Sequence, residues 1–151
     1  MKKLFEQIIK FGLVGGLCFV IDFVISFLGA KLLREIGGVG TDNAALIAAC
    51  FGFVISVVVN YVLSMKFVFK RKENMDRRKE FIIFLVLSVV GLIINEIIIK
   101  TSMIVANNVF TQVYEKYPDI ITAAAKIVAT AVVMVYNFVT RKIFLESKEE
   151  V

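Results

Sequence analysis

Four apolar segments constrain this chain more than any other feature. They run from Phe11 to Leu33, Ala44 to Leu63, Phe81 to Ile99 and Ile120 to Thr140. Each is close to the length of about 20 residues that an α-helix needs to cross a bilayer. Together they fill most of the 151 residues, and the chain is 59% hydrophobic, well above the roughly 45–50% of soluble domains. The expected fold is an all-α membrane protein with four transmembrane helices, forming one domain over residues 1–151. Lys2 and Lys3 ahead of an apolar run resemble a secretory leader. Glu6, Lys10 and Asp22 interrupt that run, however, and no A-x-A site follows, so the segment is read as retained.

The basic residues predict an orientation. Lys2, Lys3 and Lys10, then Lys66, Lys70, Arg71, Lys72, Arg77, Arg78 and Lys79, then Arg141, Lys142 and Lys148 fall on one side of the four spans, against Lys31, Arg34, Lys100 and Lys116 on the other. This asymmetry places both termini and the middle connector in the cytoplasm. The net charge of +5 is thereby assigned to topology and to contact with anionic lipids, and no nucleic-acid partner is expected. Cys18 and Cys50 lie inside apolar segments and read as packing residues.

The first segment carries Asp22 at its centre. Its 14 Leu, Ile, Val and Phe residues, at about −0.3 to −0.6 kcal/mol each, outweigh the roughly +2.5 to +3.5 kcal/mol of one mid-span aspartate. Insertion is therefore favourable, but the carboxylate is about 16 Å from the cytoplasmic end and out of reach of either interface. It must be protonated, paired, or turned toward a polar interior. Counting by three and four gives a small and polar face on every span: Gly15, Cys18, Asp22, Ser26 and Gly29; Ala45, Ala49, Gly52, Ser56, Asn60 and Ser64; Ser88, Gly91, Asn95 and Ser102; Thr122, Lys126, Thr130, Asn137 and Arg141. Such faces serve helix packing about as often as ligand binding. Glu96 is expected to pair with Lys100 one turn later, or to meet Lys126 in the outer half. Lys126 lies about 9 Å from the outer end of its segment, so snorkelling explains it nearly as well as a buried role.

A short repeat links the halves. "NYVLSMKF" (Asn60 to Phe67) closes the second span and "NFVTRKIF" (Asn137 to Phe144) closes the fourth. This reads as a parallel two-plus-two duplication. Each copy places an asparagine just inside the cytoplasmic boundary and cations one to two turns further out, a layout suited to a phosphate with an apolar tail. An aromatic and basic belt that only anchors the helices would share these features.

These motifs, with "FGLVGGLCFVID" (Phe11 to Asp22), resemble the GtrA-like family of small four-helix membrane proteins over nearly the whole chain. The resemblance implies translocation of a polyprenyl-phosphate-linked sugar across the bacterial cytoplasmic membrane, for glycosylation of envelope polysaccharide or teichoic acid. It puts Asp22, Asn60 and Asn137 on family motif positions, with Lys66, Arg141 and Lys142 as flanking cations. Met65 stands where the family often has a basic residue, leaving Lys66 as its substitute. Asn95 and Lys126, from the polar faces, complete the expected substrate-binding set. No enzymatic reaction, cofactor or metal is expected. Membrane glycosyltransferases are expected partners, and further copies of the chain as well, because four short helices enclose little volume for a sugar. Two other classes are open: a small-multidrug-type proton-coupled exporter using Asp22, which the basic ends fit less well, and a non-transporting scaffold recruiting a glycosyltransferase through "KRKENMDRRKE" (Lys70 to Glu80).

Overall fold

The computed structural model describes residues 2–147; Lys148, counted above among the tail cations, lies outside them. Four helices are long and apolar enough to span a membrane: α1 (Lys2–Glu35), α2 (Thr41–Phe67), α3 (Arg77–Val109) and, after the short α4 (Thr111–Lys116), α5 (Pro118–Leu145). Among the described residues there is no strand, only an isolated antiparallel bridge between Arg71 and Glu146. The protein is a multi-pass, all-α membrane protein.

All four helices overrun the apolar segments that define them. The amphipathic start joins α1, and α3 continues ten residues past Ile99 to Val109. The apolar run fixes what must sit in hydrocarbon, whereas the helix continues into the interface until something stops it. "GGVG" stops α1: Gly38 has a φ of 60°, in the left-handed region that favours glycine, and Val39 N–H returns to Leu33 O at 3.0 Å. This turn separates α1 from α2. Pro118 opens α5, where its missing N–H costs no hydrogen bond.

The described chain divides into two compact units. One comprises the residues up to Met75 together with Glu146 and Ser147, and the other is Asp76–Leu145. The division matches the two-plus-two partition read from the repeated asparagine motif. In the first unit α1 and α2 run antiparallel, Gly29 facing Ala48 and Asp22 facing Gly52. The buried residues of α2 are Ala44, Ala48, Gly52, Ser56, Val57, Ser64 and Met65: an i+4 row from Ala44 to Ser56 that resumes at Ser64 past the half-buried Asn60, with Val57 and Met65 beside it. Ala45 and Ala49, expected on that face, are exposed, being turned by about 100° from the row. In the second unit α3 and α5 are likewise antiparallel, with Ser88 facing Arg141, Gly91 facing Asn137 and Met103 facing Thr122.

One end of the first unit is tied by the backbone leaving α2. Gln7 Nε2 donates to Val68 O at 2.9 Å and to Glu146 Oε1. Ser147 N–H donates to Lys70 O at 2.8 Å, and the Phe11 and Phe69 rings pack at 5.8 Å. The start of α1, the end of α2 and residues Glu146 and Ser147 therefore share one end of this unit. Gln7→Ala removes two donations by one amide, at about 1 kcal/mol each. The expected result is amide exchange of Ser147 accelerated about tenfold or more, measured by hydrogen–deuterium exchange in detergent; unchanged exchange there would show that Gln7 does not hold this segment.

Candidate functional site

Asp22 sits on the face of α1 turned to α2. Its carboxylate accepts a long hydrogen bond from Ser26 Oγ at 3.5 Å, one turn on. Gly52 makes room for it: a β-carbon at Gly52 would lie 2.7 Å from Asp22 Oδ1 and 2.9 Å from its backbone oxygen. Asp22 is half-buried there, while the apolar neighbours Phe23 and Val24 are exposed. A polar carboxylate in the helix seam with phenylalanine and valine turned outward is the arrangement a lipid solvent imposes.

Asn60 lies lower on α2, half-buried, with its Oδ1 accepting from Ser64 Oγ at 2.9 Å. Past it, Met65 is buried and Lys66 exposed, so the thioether takes the packing position and the cation the free one. Lys66 Nζ stands 5.2 Å from the Phe67 ring centroid, a contact worth about 0.5–1 kcal/mol at an exposed site.

The equivalent end of α5 differs. Arg141, expected as a cation at headgroup depth, is only 2% exposed. Its Nη2 donates to Ser88 Oγ at 3.0 Å and its guanidinium lies 3.8 Å from the Phe84 ring centroid. A planar guanidinium can stack and donate together, which a headgroup cation need not do. Lys142 is half-buried, its Nζ 5.9 Å from the Phe138 ring centroid. Asn137, one turn before Arg141, is half-buried against Gly91, and its Oδ1 is buried without a hydrogen-bond donor among the described residues.

Asn95 is half-buried on the α3 face that also carries Ser88 and Gly91. Lys126 is not on the matching face of α5: Ala125 and Ala129 are buried there, while Lys126 and Thr130 are exposed. By helix geometry the expected stripe is one face, Lys126 and Asn137 lying within about 20° of each other, but in the outer half of α5 the seam is taken by Ala125 and Ala129, and Lys126 is turned about 100° from Ala125. Neither expected ion pair of Glu96 forms among the described residues, where Glu96, Lys100 and Lys126 are all exposed. The helix register explains one case, since Lys126 falls opposite α3 residues one to two turns beyond Glu96. The other is an exposed i, i+4 pair worth about 0.3–0.5 kcal/mol; Lys31 and Glu35 make the same kind of contact at 3.9 Å, and nothing in the structure explains why Glu96 and Lys100 do not.

Sequence reasoning passed over Gln7 and Glu80. Gln7 lies with Glu6 between the apolar pairs Leu4–Phe5 and Ile8–Ile9, a polar interruption visible in advance. Glu80, 1% exposed, was hidden in a run of charges; its spacing of four and eight from Phe84 and Ser88 marks the face that is buried.

Two antiparallel pairs of spanning helices, each with glycine-lined polar contacts and an asparagine near one end, define a small integral membrane protein with polar groups inside its spans. The chain belongs to the GtrA/DPMS transmembrane-domain family, whose model matches residues 10–145. No curated protein and no solved structure matched the chain.

Proposed function

We propose that this protein moves a polyprenyl-phosphate-linked sugar from one leaflet of the bacterial cytoplasmic membrane to the other, supplying glycosylation of envelope polysaccharide or teichoic acid. The family match over residues 10–145 carries this reading, and the placement of polar groups supports it. A polyprenyl chain is at home in hydrocarbon, whereas a phosphosugar crosses it only if hydrogen-bonding groups replace water along the way.

The tied end, rich in Lys and Arg, faces the cytoplasm by the charge asymmetry. Lys66, exposed there, attracts the phosphate with Lys142, while Arg141 acts from its place beside Ser88. Asn60 and Asn137 take the head below that level and Asp22 binds sugar hydroxyls at mid-span. Asn95 and Lys126 serve the outer half. No bond is made or broken, so the protein acts as a carrier in one domain over residues 1–151, without cofactor. Anionic lipids, membrane glycosyltransferases and further copies of the chain are its partners.

The test is reconstitution in sealed vesicles with labelled polyprenyl-phosphate-glucose. Asp22→Asn and Asn137→Ala each remove one polar group from the path, and each is expected to lower the initial rate about tenfold or more, the effect of losing one buried hydrogen bond of about 1.5 kcal/mol. Folded variants that transport at the wild-type rate would exclude this route.

A further inference from the structure

The two halves of the repeat are not equivalent, and the difference lies at one atom. In "NYVLS" the residue four after asparagine is Ser64, and in "NFVTR" it is Arg141. Ser64 Oγ donates back to Asn60 Oδ1 at 2.9 Å. Arg141 instead reaches across to Ser88 and Phe84, which leaves Asn137 Oδ1 buried and without a donor among the described residues. An amide oxygen buried in this way is normally satisfied by something. Being an acceptor, it calls for an O–H or N–H group, and an ionised phosphate offers neither.

Across the seam stands Gly91. A β-carbon there would lie 3.1 Å from Asn137 Nδ2, 3.2 Å from its Oδ1 and 3.4 Å from Val133 Cγ1. No backbone atom is among these neighbours. An added methyl would press on the amide and leave the helix spacing nearly alone, which sets Gly91 apart from Gly52, where backbone is in the way.

We propose that Gly91 is a positioning residue that seats the Asn137 amide with its oxygen held for a hydroxyl of the sugar head, so that the amide oxygen of this half of the repeat reads the sugar. The assignment rests on the transport reading above. It also explains why the repeat has diverged: in the first half a serine already fills the amide oxygen.

The experiment compares wild type, Gly91→Ala, Asn137→Ala and the double variant in vesicles, with polyprenyl-phosphate-glucose and a set of its monodeoxy analogues. Gly91→Ala should raise the apparent KM about tenfold with little change in maximal rate, because a misplaced contact weakens binding of the substrate. Wild type should favour glucose over at least one deoxy analogue, and both single variants should lose that preference. The double variant should be no worse than Asn137→Ala, since the two act through one group. Gly15→Ala, where a β-carbon meets nothing within 4 Å, serves as the matched control. A wild-type KM and preference in Gly91→Ala, full additivity in the double variant, or no preference among deoxy analogues in wild type would each overturn the proposal while transport itself stands. Wild-type protein that moves no lipid would instead overturn the transport reading, and the sugar assignment with it.

Discussion

Gly52→Ala is expected to destabilise the α1–α2 pair by about 1–3 kcal/mol, the usual effect of adding carbon to a closely packed interior. The new methyl would lie 2.9 Å from the backbone oxygen of Asp22 as well as 2.7 Å from its carboxylate. Side-chain rotation can relieve the second contact but not the first, so the helices themselves must separate. Gly52→Val should be worse. Gly15→Ala and Gly16→Ala add the same methyl to the facing helix where nothing lies within 4 Å, and should stay within about 0.5 kcal/mol of wild type. Unfolding in mixed micelles with increasing dodecyl sulfate gives the comparison directly. If Gly52→Ala unfolds at the same detergent fraction as Gly15→Ala, the close approach of α1 and α2 is wrong.

Arg141→Ala should be the most damaging change in the second unit. It removes a charge-assisted hydrogen bond to Ser88 Oγ and a guanidinium stacked 3.8 Å from the Phe84 ring centroid. Such a hydrogen bond is worth about 1.5–3 kcal/mol and a desolvated cation–π contact about 2 kcal/mol. Because the contributions overlap and burying the charge has its own cost, a net loss of roughly 2–4 kcal/mol is expected. Arg141→Lys should recover little of it, since an ammonium has no planar fork to stack and donate together. The same unfolding assay measures both variants. Full recovery by lysine would mean that only the charge matters, as for a cation in the headgroups.

The four spans were legible because hydrocarbon sets a minimum apolar length that few other structures need. The division into helical pairs was legible from the repeated asparagine motif. Which face each helix buries was harder to read. α2 has alanine at 44, 45, 48 and 49, so either of two faces was small enough. Gly52 and Ser56 sit in the i+4 row with Ala44 and Ala48, and that row is the one buried. On α5 the alanines at 125 and 129 took the seam and left Lys126 outside, because a small side chain lets helices approach and a lysine does not. Arg141 was misplaced for a related reason. A cation near a helix end reads as a headgroup contact from composition alone, and only the placement of Ser88 and Phe84 across the seam draws it inward. Helix ends, set by local stops such as Gly38 and not by hydropathy, lay beyond the apolar limits.

In the proposed function these spans carry a phosphosugar head through the bilayer. The most direct measurement of that transfer is the initial rate at which labelled polyprenyl-phosphate-glucose, loaded in one leaflet of sealed vesicles, becomes accessible to a membrane-impermeant reagent on the other side. The expected rate is proportional to the amount of protein reconstituted and strongly reduced by Asp22→Asn. A rate equal to that of protein-free vesicles, from folded protein inserted in both orientations, would contradict the proposed function.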